Sequence, residues 1–188
     1  MKNYPPFVIT IVGPESSGKT TLAEQLAGAL SSQWVPEFAR VYLENLGRPY
    51  GFEDLREIAM GQLEGIQLAV GSGQSSVGSP QLAVGSVQAA VGLEELISQL
   101  GAMDREIVIV DSGLLSIRMW ARIKYGKTVD VVEEAMQQDL TSLYILKRPV
   151  KEWEPDALRE APMLIDRAWI YNQYLNELQR EQFPFLRG

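Results

Sequence analysis

Gly13-Pro14-Glu15-Ser16-Ser17-Gly18-Lys19-Thr20 is the stretch that decides the fold, and Thr21 follows it. It matches the pattern G-x-x-x-x-G-K-[ST] at every fixed position. A β-branched apolar run from Phe7 to Val12 precedes it, as in a strand buried on both faces. Apolar residues then recur at helical spacing from Leu22 to Leu30, which predicts a helix starting near Lys19. Strand, glycine loop and helix in this order predict a phosphate-binding site.

The loop pattern predicts a separate role in nucleotide binding for each of its polar groups. Backbone N–H groups and the helix N-terminus favour bound phosphates. Lys19 would reach the β- and γ-phosphates, and the Thr20 hydroxyl would hold Mg²⁺. The predicted cofactors are therefore ATP and Mg²⁺, and the predicted nucleotide-binding residues in the loop are Gly13, Glu15, Ser16, Ser17, Gly18, Lys19, Thr20 and Thr21. A glycine turn that matches by chance is the alternative.

The composition narrows the class of protein. A length of 188 residues suits one α/β domain, and a formal net charge of −7 argues against a broad nucleic-acid surface. Without cysteine or histidine, the chain cannot form disulfides or use thiolate or imidazole catalysis. No apolar stretch approaches the roughly 20 residues of a membrane span, and the first residues do not resemble a signal peptide. We therefore expect a soluble cytoplasmic protein.

Two acidic positions are expected beside the loop. Gln33 to Glu37 predicts a short second strand, and Glu106 to Asp111 predicts a buried strand that ends in a carboxylate. Ligands of open parallel sheets lie beyond the carboxyl ends of the strands. Asp111 is therefore a predicted partner of Thr20 in holding Mg²⁺. Glu37 and Arg40 would lie where a phosphoryl acceptor binds; the alternative is a solvated pair in the first turn of a helix.

Aromatic and basic residues extend the candidate site. Trp120 and Tyr125 lie on a predicted helix from Ser112 to Tyr125 and could stack on a base or a nicotinamide ring, although core packing is the alternative for Trp120. Arg148 and Arg159 flank a charged, proline-punctuated segment that follows a predicted strand. They could close on the transferring phosphate as part of a lid. Two surface arginines are the alternative.

A duplicated stretch interrupts the pattern. Residues 67–72 return as residues 81–86, and no charged residue occurs from Gly65 to Leu93. Two copies are too few for a solenoid, and a Gly/Ser-rich composition favours a flexible loop. A partner-binding loop or lid is the alternative. We predict a single domain over residues 1–188, interrupted by an insertion at about 67–92.

The remaining patterns complete the expected architecture. Amphipathic helices are predicted for residues 54–70, where Gly61 and Gly65 weaken the apolar stripe, and for residues 129–139 and 161–182. Strands are predicted for residues 142–149 and 183–186. Alternating strands and helices predict a three-layer α/β/α fold with a parallel sheet of about five strands.

The ordered set of motifs resembles the ribosylnicotinamide kinase domain of the NadR-type proteins and related small P-loop ATPases. The resemblance covers the phosphate loop, residues 35–40, 110–112, 120–126 and 148–159. It implies transfer of the ATP γ-phosphate to the 5′-hydroxyl of nicotinamide riboside, with Glu37 or Asp111 as base. It also implies that Lys19 and Arg159 act in transfer, that Arg148 contacts the nucleotide and that Trp153 lies with the substrate residues.

One departure from this family concerns Gly113. The family often has an acidic residue at this position, two places after Asp111. A polar contact to the acceptor or to magnesium would then be missing here. A second hypothesis follows from this departure and from the uncharged repeat: a nucleotide-dependent regulatory or partner-binding module without a small acceptor. A GTP switch is disfavoured because the chain has no Asn-Lys-x-Asp sequence.

Overall fold

Five parallel strands carry the predicted phosphate loop at their carboxyl edge. The computed structural model describes residues 4–71, 92–137, 139–150 and 163–188. The sheet order is β2-β3-β1-β4-β5, and every neighbouring pair is parallel. The strands are β1 (Phe7–Val12), β2 (Gln33–Val35), β3 (Ile107–Asp111), β4 (Thr141–Leu146) and β5 (Phe185–Arg187).

Helices cover both faces of the sheet. They are α1 (Lys19–Leu30), α2 (Phe38–Leu46), α3 (Asp54–Val70), α4 (Leu93–Gly101), α5 (Leu114–Tyr125), α6 (Asp130–Met136) and α7 (Leu164–Arg180). Helices α1 and α4 share one apolar core with the sheet, and α3, α5, α6 and α7 share the other. The predicted three-layer α/β/α fold is thereby confirmed. No helix within the described ranges is both long enough and apolar enough to cross a membrane.

Strand β1 shows why the fold begins with an unbroken apolar run. All six of its residues are buried. Ile9 and Ile11 point into the core beneath α1 and α4, whereas Val8 and Val12 belong to clusters on the opposite face. Because side chains alternate along a strand, a central strand covered on both sides needs apolar residues at every position. The phosphate loop therefore leaves from the middle of the sheet.

The element boundaries differ from the predicted ones where the chain turns toward the site. Strand β2 ends at Val35, so Glu37 lies in the turn that precedes α2. Helix α5 begins at Leu114, because Ser112 has a positive φ of 58° and cannot continue into helical geometry. Most of the duplicated stretch, residues 72–91, lies outside the described residues, as do Trp153 and Arg159.

A charged network joins three helices on the same face of the sheet, α5, α6 and α7. The Arg118 guanidinium is buried and contacts Glu133 at 2.8 Å and Glu177 at 3.1 Å. Arg122 also contacts Glu177, at 2.7 Å. These contacts connect α5 to α6 and α7, and both α5 and α7 contribute side chains to the wall of the site. Removing Arg118 would take a buried counter-charge from both carboxylates, which is costly.

Candidate functional site

The turn from β1 into α1 depends on its two flanking glycines. Gly13 has a φ of 144°, and a Cβ placed there would lie 2.6 Å from the Lys147 carbonyl oxygen. Gly18 has a φ of 76° and caps the N-terminus of α1. Both conformations are ones that residues with a side chain rarely adopt. The loop between these glycines therefore folds tightly over the start of α1, as its pattern predicts.

Polar groups of the loop are arranged for an anion. Lys19 Nζ donates a 2.9 Å hydrogen bond to the Pro14 carbonyl oxygen, which holds the ammonium group over the loop. The hydroxyls of Ser16 and Ser17 are buried and have no hydrogen-bond partner within the described part of the chain. Buried polar groups are normally hydrogen-bonded, so unpartnered donors point to a ligand. Phosphate oxygens would satisfy them beside the positive end of α1.

The side chains of Thr20 and Asp111 are in contact beside the phosphate loop. Thr20 Oγ1 donates a 2.6 Å hydrogen bond to Asp111 Oδ2. Asp111 is 1% exposed, and it is brought here because β3 pairs with β1, with Ile11 opposite Asp111. A hydroxyl and a carboxylate are both oxygen ligands of the kind that Mg²⁺ prefers. The donor set therefore fits a magnesium ion that is shared with nucleotide phosphates.

A cavity of about 330 Å³ extends from the loop between α2, α3, α5 and α7. Its volume lies in the range of small-molecule sites. The predicted residues that line it are Gly13, Glu15, Ser16, Ser17, Gly18, Lys19, Thr20, Thr21, Glu37, Arg40 and Trp120. Away from the loop the wall is largely apolar and includes Leu43, Leu55, Ile58 and Ile117. One end of the cavity therefore suits phosphates, and the other suits a flat, weakly polar group.

Glu37 lies at the junction of these two ends. Its side chain is half-buried. Burial raises the pKa of the Glu37 carboxyl, and the negative charge of Asp111 adds to that effect. Lys19, Arg40 and the Ser112 hydroxyl lower it in opposition, but the net shift is upward. A carboxylate that holds its proton more tightly than usual is better suited to accept one from a hydroxyl group.

Of the other predicted site residues that the structure describes, some line the cavity and others do not. Tyr125 is not among the described residues that line the cavity, and its ring packs edge-on against Phe52 at 5.5 Å. Arg148 is exposed beyond the end of β4, and its backbone N–H donates to the Gly188 carbonyl oxygen at 3.0 Å. Trp120 lines the cavity although it also packs against the core, so both interpretations of this residue apply. Arg40 lies on the cavity wall beside Glu37.

Several lining residues carry no signal in the sequence. Ser112, Ser116, Gln62 and Tyr174 all face the cavity. Ser116 Oγ is buried beside Tyr174, and burial raises the pKa of the Tyr174 hydroxyl strongly. Tyr174 lies on α7, far along the chain from the loop. These residues occur in ordinary helical patterns, and the sequence does not distinguish them from core positions.

Comparisons with known proteins agree with this geometry. A family model described as AAA domain matches residues 8–187. The structure of the NadR protein in complex with NR has a TM-score of 0.64 and is 17% identical, with 97% of this chain and 45% of that chain covered. The NadR protein in complex with NAD and AMP-PNP has a TM-score of 0.57 at 16% identity, with 97% and 43% covered.

The sequence identities and the coverage limit what the two NadR structures show about this chain. At such identities the two solved structures establish a shared fold, and this chain spans less than half the length of the NadR chains that it matches. No curated protein matches the sequence. The family model, in contrast, covers nearly the whole chain, from the start of β1 to the end of β5. The chain belongs to the AAA domain family, and its three-layer α/β/α fold carries a phosphate-loop motif.

Proposed function

We propose that the protein is an ATP-dependent nucleoside kinase that phosphorylates the 5′-hydroxyl of nicotinamide riboside. The observation that carries the proposal is that the phosphate loop, the Glu37 carboxylate and an apolar wall line one continuous cavity. A phosphate donor and a hydroxyl acceptor would share this space. Phosphoryl transfer depends mainly on such positioning and on charge neutralisation.

The proposed reaction balances as a simple group transfer. The acceptor hydroxyl oxygen forms a bond to the γ-phosphorus of ATP as the bond from that phosphorus to the β–γ bridging oxygen breaks. ADP leaves, and the hydroxyl proton passes to the Glu37 carboxylate. Lys19 and the loop N–H groups stabilise the negative charge on the transferring group and on the ADP product. Asp111, which already accepts the Thr20 hydrogen bond, is the alternative base.

The metal has a limited part in this proposal. Thr20 and Asp111 would hold Mg²⁺, which when bound supplies charge neutralisation for the β- and γ-phosphates. Within the described residues no group of three or more acidic side chains could hold a metal by itself. This suits a magnesium ion that keeps phosphate and water ligands, since Mg²⁺ is usually bound by one or two carboxylates together with substrate phosphates.

The apolar part of the cavity supports an aromatic acceptor. Trp120, Tyr50 and Ile117 offer flat or aliphatic surfaces against which a pyridinium or other base ring would pack. Glu37 and the C-terminal end of β3 would then lie near the ribose. The NadR protein of similar fold was solved in complex with NR, which is why nicotinamide riboside is proposed ahead of other nucleosides. The product would be the corresponding mononucleotide, a precursor of NAD.

The test is ATP consumption by the purified protein with Mg²⁺, measured with and without nicotinamide riboside, and with mass detection of the mononucleotide. We expect ADP release that depends on the riboside and matches the product mole for mole. Adenosine, deoxyadenosine and uridine serve as competing acceptors and rank the base preference. Tight ATP binding without any nucleoside-dependent turnover would contradict the proposal and favour the regulatory or partner-binding module.

A further inference from the structure

Glu37 lies at the N-cap position of α2, but its side chain does not cap the helix. It is the N-cap residue of α2, yet its side chain makes no capping hydrogen bond within the described chain. N-cap side chains usually accept a hydrogen bond from the first turn, because the first N–H groups of a helix have no partner inside it. The Glu37 carboxylate instead faces Lys19, Arg40 and Asp111. Another group must therefore satisfy the start of α2.

Gln62, on α3, is that group. Its side-chain Oε1 accepts a 2.8 Å hydrogen bond from the Phe38 backbone N–H, the first of α2. Its Nε2 donates to the Pro36 carbonyl oxygen at 3.3 Å. One amide thus bonds the backbone on both sides of Glu37. Gln62 is 1% exposed, so neither bond competes with bulk water.

The packing of α3 reinforces this arrangement. A Cβ at Gly61 would lie 2.3 Å from the Phe38 ring, and a Cβ at Gly65 would lie 3.3 Å from Val35 Cγ1. Gly61 and Gly65 are four residues apart and share one face of α3. The two glycines that weaken the helical stripe therefore allow α3 to pack closely against the residues on either side of Pro36 and Glu37.

We propose that Gln62 is a positioning residue for Glu37, and that the Gly61, Gln62 and Gly65 face of α3 holds the Glu37 carboxylate toward the reacting hydroxyl. The proposal deepens the proposed kinase function and rests on it. Gln62 takes over the capping of α2 and so frees Glu37 for the cavity. Small errors in placing a reacting group reduce turnover strongly, because catalysis of this kind depends on alignment.

Gln62→Met tests the proposal, because methionine has nearly the same length but neither donates nor accepts the two amide bonds. We expect kcat for riboside phosphorylation to fall roughly 10- to 100-fold, with the KM for ATP unchanged. The acid limb of the pH profile should also move, because the charges around Glu37 change when it shifts. Any residual turnover of Glu37→Gln should fall little further when Gln62→Met is added, since the group being positioned is already absent.

Gly61→Ala provides an independent variant on the same face. Its new methyl group would meet the Phe38 ring, and we expect a loss of kcat similar to that of Gln62→Met. Gly28→Ala is the matched control: Gly28 is an exposed residue of α1 with no atom within 4 Å of an added Cβ, and it should retain full activity. A thermal unfolding curve of each variant shows whether the variant is folded at the assay temperature, so that only folded proteins are compared.

Three results separate the inference from the function on which it rests. Wild-type protein without riboside-dependent turnover would refute the kinase proposal itself. Active wild type, inactive Glu37→Gln and fully active Gln62→Met would overturn the positioning role. A Gln62→Met variant with a raised KM for the riboside and an unchanged kcat would also overturn it, because that outcome indicates a direct contact with the acceptor.

Discussion

Thr20 Oγ1 donates a 2.6 Å hydrogen bond to Asp111 Oδ2, although the two residues are 91 positions apart in the chain. The bond forms because β1 and β3 are adjacent parallel strands whose carboxyl ends meet at the same edge. The helix that begins at Lys19 places Thr20 directly against the end of β3. The predicted metal-binding pair is thus brought together by the pairing of β1 with β3 and by the start of α1.

Asp111→Asn should remove most activity with little effect on nucleotide binding. The amide keeps the size of the carboxylate but not its charge, so Mg²⁺ would be held less well at the transferring phosphate. We expect kcat to fall roughly 10²-fold or more, a loss typical of removing one preorganised charge. Steady-state kinetics over a range of Mg²⁺ concentrations measure it. Asp104→Asn, at an exposed position, is the control, and equal losses in both variants would contradict the assignment.

Glu37→Gln should abolish transfer while ATP still binds. The deprotonated Glu37 carboxylate of the wild type is the proposed base, so wild-type activity should fall as Glu37 takes up a proton. Because the pKa of Glu37 is raised above 4.5, the acid limb of kcat/KM should lie above the pH expected for an exposed glutamate. Rate measurements across pH and ATP titration by fluorescence check both parts. Glu24→Gln, on the exposed side of α1, should behave as wild type.

The charged form of Glu37 should also lower the free energy of unfolding at neutral pH. A carboxyl with a raised pKa in the folded state binds its proton more tightly there than in the unfolded chain. The folded state is therefore favoured at acid pH and loses that advantage as pH rises through the folded pKa. We expect Glu37→Gln to be more resistant to urea than wild type at pH 7, with a smaller difference near pH 4.5. The opposite order at pH 7 would contradict the direction of the shift.

Asp54 fixes the turn between α2 and α3 that carries Tyr50 to the cavity wall. It accepts two hydrogen bonds from Arg48 at 2.8 Å, and others from the Gly51 N–H and the Tyr42 hydroxyl. The Arg48 bonds and then the Gly51 N–H hold the Asp54 pKa well below its usual range. Because Arg48 is half-exposed, we expect Asp54→Asn to reduce the unfolding free energy by only about 1–2 kcal/mol at pH 7.

The pH dependence of that loss has a definite sign. A carboxyl with a lowered pKa stabilises the fold above the unfolded value of about 3.9, and this contribution is lost as pH falls toward the folded value. The difference in urea stability between wild type and Asp54→Asn should therefore begin to shrink below about pH 4 and shrink further as the pH falls. A difference that stays constant down to pH 2.5 would show that the ion pair is not its origin.

Gly113→Ala should be destabilising because a Cβ there would lie 2.8 Å from Thr10 Cγ2. An acidic residue, which the ribosylnicotinamide kinase family often has at this place, would meet the same methyl group. We expect Gly113→Ala to cost about 1–3 kcal/mol, as overpacking of a core does.

Thr10→Ser is the compensating change. It removes the obstructing methyl group and keeps a hydroxyl for the 2.7 Å hydrogen bond with Thr141. The double variant should recover most of the stability in urea titration. Equal stability of the single and double variants would exclude the steric explanation and leave the absence of an acidic residue unexplained by packing.

The sequence predicted the parts of the site that depend on neighbouring residues. The run from Phe7 to Val12, the loop to Thr20 and the start of α1 form one continuous piece, and their spacing specifies strand, turn and helix directly. The strand that ends at Asp111 could be predicted for the same reason, since a doubly buried strand must be apolar throughout. The three-layer fold followed from the alternation of these elements.

Contacts between distant segments depended on the tertiary structure. The sequence indicated that Trp120 and Tyr125 could stack on a ring, with core packing as the alternative for Trp120. Of these two residues only Trp120 lines the cavity, because residues five positions apart on α5 point in different directions. Likewise, Ser116 and Tyr174 have the spacing of core residues, and only the packing of α5 and α7 brings them to one cavity.

Gln62 shows the same limit most clearly. Nothing in the pattern of α3 relates a glutamine to the backbone of Pro36 and Phe38, some 24 residues earlier. Local sequence determined the strand, the phosphate loop and the acidic strand end, because hydrophobic period and backbone conformation are properties of adjacent residues. The packing of α3 against the start of α2 decided where Glu37 points, because a hydrogen bond between distant segments exists only once both are folded.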